Sequence, residues 1–317
     1  MSNKIKQEMN KIEIPKELSE RSKMGVSQAT KEIKKDRKRF NVKGIGIAAA
    51  LLVSVGAFTL LNNVDLDSST GNQDALVVNK DGSVEIPVIQ LPEGNIADMD
   101  MIGLIVYNGK IYTQTRTEID AEASKVIIGE KLGTTKGTID EWSEQEAYDE
   151  EFASTVGIAD VYSVKGYNKD FRIMTYEEQD GKINAEFYEN FNGVTIDNGK
   201  DVFGKLNIEG NISSAQYRTF SDWDNDIENY QPIANMETLN NFVVELNKAK
   251  PIPRDQNSDP ISNSRTDEEF RELSIKLNDG STVRLTLLKE GNIYYGFMGV
   301  YFKMDEDVFS KMWSQIH

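Results

Sequence analysis

The pattern of apolar and polar positions changes character twice along the chain. From Gly44 to Val64 the run GIGIAAALLVSVGAFTLLNNV carries no charge. Its apolar heart, Gly44 to Leu61, would extend roughly 27 Å as a helix, against a hydrocarbon core of about 30 Å. Nine of those residues are Ile, Leu, Val or Phe, and the run avoids the roughly 2.5–3.5 kcal/mol that one central Lys or Asp would cost. One transmembrane helix is predicted over 44–64. Ahead of it lies a tail, 1–43, whose apolar residues recur at helical spacing. Ile5, Met9 and Ile12 precede Pro15, which suits the first turn of a second helix, and Leu18, Val26, Ala29 and Ile33 follow on one face. A piece this small cannot bury its own apolar face. That face either docks a cytoplasmic partner or rests on anionic lipid, and the basic run 34–43 favours lipid.

Beyond the span the period shifts towards two. Residues 65–75 form a polar tether without periodicity, and a first strand region follows by residue 95. From 96 to 317 an α+β domain is predicted, with antiparallel sheet and packed helices. Asp81-Gly82, Asn108-Gly109 and Asp180-Gly181 mark turns, and strands are expected at 104–113, 160–164, 171–176 and 183–188. An acidic helix is expected over Glu141–Ala153, capped by Asp140 and marked by Trp142, Tyr148 and Phe152. A second helix, Met236–Lys248, presents Leu239, Phe242, Val243 and Leu246 on one stripe. The proline-containing stretch 250–265 is expected to be a loop and the place where two subdomains would divide. Leu273, Ile275 and Leu277, then Val283, Leu285 and Leu287, alternate around Asn278-Asp279-Gly280. Gly291-Asn292 turns into Ile293–Phe297, which gives a three-stranded meander with one apolar face. Asp305 then caps a final helix bearing Phe309, Met312, Trp313 and Ile316.

Charge gives the span an orientation. Residues 1–43 hold thirteen Lys or Arg against six Asp or Glu, a balance of +7; the remainder holds twenty-three against forty-six, or −23. Seven basic residues fall in the fifteen before Gly44, and none in Asn62 to Asn79. By the positive-inside rule the tail is cytoplasmic and the domain extracellular. A buried core helix would show the same apolar run without these flanks. A cleaved signal peptide would need a far shorter leading segment, and a small-x-small site where Leu-Leu-Asn-Asn stands. Gly46, Ala50 and Ser54 lie four apart, as in helix-packing faces, a spacing that an Ala/Gly-rich span also gives by chance. A domain at −23 repels nucleic acid and anionic wall polymers, so its partners are expected among proteins and small molecules.

Candidate chemistry is sparse. There is no cysteine, and the one histidine is His317, so Cys–His nucleophiles and His-based metal sets are out of reach. Ser314 lies only three residues from His317 on the same helix, too near its end for a positioned base. Phosphate-binding loops and zinc-protease signatures are absent, and carboxylates are too numerous for any pair to be informative. The aspartates at 65 and 67, and those at 222, 224 and 226, begin like calcium loops, but Thr70 and Ile227 stand where the turn needs glycine. Solvated acidic turns are expected instead. No enzyme activity, catalytic residue, cofactor or metal is expected.

The layout and the run Ile12-Glu-Ile-Pro-Lys-Glu-Leu-Ser-Glu-Arg-Ser-Lys-Met-Gly-Val resemble Firmicute, bacillus-type negative effectors (anti-sigma factors) of extracytoplasmic-function sigma factors. Gly129-Glu-Lys-Leu-Gly-Thr-Thr-Lys-Gly-Thr, Val164-Lys-Gly-Tyr-Asn-Lys-Asp-Phe-Arg-Ile-Met and Tyr294-Tyr-Gly-Phe-Met-Gly-Val-Tyr-Phe look like the same group. The chain departs from the zinc-containing anti-sigma families, whose His/Cys ligands it lacks. The resemblance implies that the tail sequesters a sigma factor, with Leu18, Val26, Ala29 and Ile33 as the contact face, and that the outer domain senses envelope conditions. The alternative is a membrane-anchored envelope protein whose outer domain binds a ligand or partner while the tail only orients it. Both require one topology. Protease added to intact protoplasts is expected to remove the chain beyond about residue 65, at the tether's start, and to spare an N-terminal tag. Protection of the C-terminal domain would overturn the orientation.

Overall fold

A computed structural model describes residues 76–89, 102–140, 143–254, 259–296 and 298–316, all within one compact unit. Described strands begin with a ribbon, β1 (Val77–Val78) and β2 (Val84–Glu85), turned at Asp81-Gly82. A hairpin follows, β3 (Leu104–Tyr107) and β4 (Lys110–Gln114). Asn108 and Gly109 take φ of 52° and 66° at its tip, the left-handed pair that a two-residue hairpin turn demands. Two residues later the chain enters β5 (Thr117–Ile119), helix α1 (Ala121–Ile127) and β6 (Ile128–Thr134). Then come β7 (Asp160–Val164), β8 (Arg172–Gln179), β9 (Lys182–Glu189) and the short β10 (Thr195–Ile196). The C-terminal part holds β11 (Ile212–Thr219), α2 (Phe220–Asp224), β12 (Gln231–Pro232), α3 (Met236–Leu246), β13 (Lys250–Pro253) and α4 (Pro260–Asn263). It closes with β14 (Phe270–Leu277), β15 (Ser281–Leu288), β16 (Asn292–Tyr294), β17 (Val300–Lys303) and α5 (Glu306–Trp313).

The strands form an antiparallel α+β arrangement with few helices. One sheet runs β3-β4-β9-β8-β7-β6; another runs β12-β11-β14-β15-β16-β17-β13, with β5 joining β15 beside β16. A third, small sheet places β2 between β1 and β10. The main core lies on one face of the larger sheet. There Leu273, Ile275, Val283, Leu285 and Leu287 meet Leu239, Phe242, Val243 and Leu246 of α3 and Phe309 and Met312 of α5, all buried. The period-2 alternation of β14 and β15 puts these residues on one face, and the 3.6-residue stripe of α3 answers it. Asn235 caps α3 by accepting from the Thr238 N–H at 3.1 Å, and Asp305 caps α5 through the Asp307 and Val308 N–H groups. Val84 and Ile86 join this core from the ribbon, and the Ile86 N–H donates to the Val194 carbonyl. The first described residues after the tether are therefore fastened into the domain.

Two expectations fail for one physical reason. The helix expected over 141–153 is a single 3₁₀ turn, Gln145–Asp149, with Glu141 and Trp142 outside the described residues. Phe152 takes φ 61°, which no helix allows. Its N–H donates to the Val106 carbonyl, and the Val106 N–H to Ala153, so the segment lies along the free edge of β3. The stretch 250–265 is not a loop: β13 pairs with β17, and Asp259 caps α4. Pro251 and Pro253 are tolerated because β13 is an edge strand of the sheet order. The larger sheet continues across this stretch, with β11 and β12 before it and β14 to β17 after it. In both places tertiary pairing outweighed local propensity. The meander expected over 273–297 is present and extends by a fourth strand, β17.

Among the described residues no helix is long and apolar enough to cross a membrane; the run 44–64 lies outside them. The packing makes a direct forecast. Leu285→Ala, at a fully buried position, is expected to lower unfolding free energy by about 2–5 kcal/mol. Val126→Ala, at a side chain 70% exposed, is expected to stay within about 0.5 kcal/mol. Urea denaturation of the two variants checks both.

Candidate functional site

The two large sheets are joined where the chain passes from β4 to β5. Glu189, at the end of β9, is fully buried and pairs with the buried Arg172 opposite it on β8. Arg172 Nε donates to Glu189 Oε1 at 3.0 Å. The Tyr295 hydroxyl, from the larger sheet's meander, donates to Glu189 Oε2 at 2.6 Å and lies 2.6 Å from Thr117 Oγ1. Burial and the Glu189 carboxylate push the Tyr295 hydroxyl well above the usual tyrosine range, so it remains a donor. Arg172 stacks against Tyr167, 4.1 Å from the ring centre. Arg172, Glu189 and Tyr295 are all fully buried, and the network links the two sheets.

The other face of the larger sheet is different. β15 alternates buried Ser281, Val283, Leu285 and Leu287 with half-buried Thr282, Arg284 and Thr286. Glu272 of β14, Arg218 of β11 and Arg116, just before β5, share that second face. Arg218 Nε donates to Glu272 Oε1 at 2.8 Å, with both side chains 2% exposed. Arg284 Nη1 reaches the same oxygen at 3.4 Å and the Tyr230 hydroxyl at 2.8 Å. Arg116 Nη1 comes only within 3.7 Å of Glu272 Oε2. Outside them, Glu118 accepts from Arg284 Nη2 at 2.7 Å. Further along, Arg254 donates to Asp259 at 2.5 Å, and the Tyr301 hydroxyl donates to the same carboxylate.

Electrostatics separates these arginines. Burial acts against the Arg284 charge, but Glu118 and Glu272 more than offset it and hold its pKa above the ordinary value. Burial of Arg116 is not offset, and its pKa is lowered despite Glu272. Arginine stays protonated in either case; the contrast marks Arg116 as the less compensated cation. Guanidinium groups pair with carboxylate or phosphate oxygens in a planar, directional way.

No family model matches the chain, and none of the curated proteins or solved structures compared with it is similar.

The tail residues Leu18, Val26, Ala29 and Ile33 lie outside the described residues. Asp222 and Asp224 fall in α2, where Asp222 bonds Thr219 and Asn229. Among the described residues no group of three His, Cys, Asp or Glu side chains is placed to hold a metal. The sequence reading missed the arginine face, although a signal existed. The turn at 278–280 sets Leu273 opposite Leu285, which puts Glu272 and Arg284 together on the face away from the core.

Two measurements probe this face. Glu272→Gln leaves three guanidiniums around a neutral amide and is expected to cost about 3–5 kcal/mol of stability, read by denaturant midpoint. The second concerns acid. Burial would raise the Asp259 carboxyl, but hydrogen bonds from Arg254, Ser262 and Tyr301 outweigh it and bring it down to about 2. A depressed carboxyl stabilises the fold above its unfolded value of about 4. That contribution is lost as pH falls through about 2. The acid limb of a melting-temperature profile is expected to be shallower in Asp259→Asn than in the wild type.

Proposed function

We propose that this chain is a single-pass membrane regulator of the anti-sigma type, with tail 1–43 in the cytoplasm, a span at 44–64 and the α+β domain outside. The observation that carries the reading is the charge pattern: +7 before an uncharged run of membrane length and −23 after it. The resemblance of the tail run from Ile12 to Val26 to bacillus-type negative effectors supplies the partner, an extracytoplasmic-function sigma factor. The stripe Leu18, Val26, Ala29 and Ile33 would be covered when that partner is bound. The fold supports an outer sensor in one respect. β2 and Ile86 are tied to the domain core within about twenty residues of the predicted span, so that a change in the domain core would reach the chain close to the tether. A second reading, an anchored envelope protein whose tail is inert, is favoured by the arginine-bearing sheet face, which needs no cytoplasmic partner to act.

The tail separates the two readings. Leu18→Asp with Val26→Asp, expressed at wild-type abundance, is expected to weaken sigma-factor binding at least tenfold in a pull-down and to raise transcription from the dependent promoter. Unchanged binding and transcription would leave the tail without that role and favour the inert-anchor reading.

A further inference from the structure

The second face of the larger sheet contains a charge arrangement that its internal partners do not resolve. β5 pairs with β15 so that Thr282 faces Glu118 and Val283 faces Thr117, and the Arg284 N–H donates to the Arg116 carbonyl at 2.9 Å. Arg116 and Arg284 are therefore cross-strand neighbours on one face, an arrangement that is destabilising for like charges. One buried carboxylate, Glu272, is shared among Arg116, Arg218 and Arg284. The second carboxylate, Glu118, engages Arg284 and is 44% exposed. Three guanidiniums against two carboxylates leave one positive charge over. Arg284 Nε is buried without a hydrogen-bond partner, and so is the hydroxyl of Ser274, the residue opposite Arg284 on β14. Arg116 and Arg284 are 14% and 15% exposed, so the pair is reachable from solvent at its edge.

We propose that Arg116 and Arg284 form a binding site for a small-molecule oxyanion, a carboxylate or phosphate group, whose place on Arg284 is held by Glu118 when no ligand is bound. An oxyanion bridging the two guanidiniums relieves their repulsion and gives Arg116 the close acceptor it lacks. Glu118 is the displaceable member because it lies at the exposed rim, whereas Glu272 is locked by Arg218. The Arg–oxyanion pairing is charge-assisted and directional, so it discriminates against spherical anions such as chloride. The site stands apart from the reading of the tail, since either one can fail without the other.

The test uses the full-length chain in detergent at constant ionic strength, titrated calorimetrically with inorganic phosphate and with citrate, chloride making up the balance. Saturable binding of one or both is expected. Citrate alone would assign a carboxylate ligand, and phosphate alone a phosphate-bearing one. Arg116→Gln is expected to weaken binding at least tenfold, and Glu118→Gln, which frees Arg284, to strengthen it at least threefold. Lys131→Gln, an exposed residue paired to Asp160 on the other sheet, is expected to bind as the wild type does. No binding beyond the chloride background would overturn the proposal, and so would a folded Arg116→Gln that binds normally. Should Arg116→Gln fail to fold, Glu118→Gln at its exposed position decides: unchanged or weaker affinity there would overturn it.

Discussion

A carboxylate taken fully out of water must be answered at close range, and Glu189 is answered from both sheets. Arg172 comes from the strand beside it, and Tyr295 comes from the meander of the larger sheet. The desolvation cost of such a pair is several kcal/mol per ion and is recovered only with good geometry and further hydrogen bonds. Removing Arg172 would leave a buried charge unmet, and removing Tyr295 would cut the bond that reaches Glu189 from the larger sheet; the Tyr167 hydroxyl, which donates to Asp279 at 2.7 Å, adds a second tie between the two sheets. Thr117, 2.6 Å from the Tyr295 hydroxyl, is the first residue of β5. The same contact that satisfies Glu189 thus delivers β5 to the edge of β15.

The arginine-bearing face follows from that delivery. Arg116, just before β5, and Glu118 within it lie beside β15, where neither would otherwise meet Arg284 or Glu272. α1 then returns the chain to the smaller sheet, and its approach is close. A Cβ on Gly280, which has φ +86°, would fall 2.2 Å from the Ala123 side chain. Glycine is needed there both for the left-handed turn and for the space. The larger sheet ends with one face closed by α3 and α5 and another where charged side chains alternate with threonines. Its apolar end, around Phe270, Leu288, Tyr294 and Tyr301, is a separate cluster with Phe220 and Trp223 packed against it.

Local signals read correctly wherever partners are near in sequence. Asn108-Gly109 and Asp180-Gly181 fixed their hairpins, and the second of these sets Arg172 opposite Glu189, so that ion pair was within reach of the sequence. The α3 stripe and the Asp305 cap were legible for the same reason. Glu141–Ala153 misled because its acidic residues are permissive rather than helix-imposing, and the open edge of β3 offered Phe152 and Ala153 backbone partners. β5 and α1 left almost no trace: three residues of strand and seven of helix carry too little periodicity to register. Without β5, Arg116 could not be placed, and the arginine face stayed invisible although Glu272 and Arg284 were already in register.

The net charge of the chain beyond residue 43 needs to be weighed by distance. Beyond residue 76 the chain has seven arginines, and four of them, Arg116, Arg218, Arg254 and Arg284, lie along one sheet face. At physiological salt, charges farther apart than about 8–10 Å are largely screened. A small anion at that face responds to the nearest guanidiniums and carboxylates, not to the total of −23. A long polyanion cannot confine itself to one Debye length, and most of its charges would lie over acidic surface. The same charge distribution disfavours an extended polyanion while giving a compact oxyanion a local balance of +1. Selection by ligand size arises here from the arrangement of charge, with no enclosing pocket required.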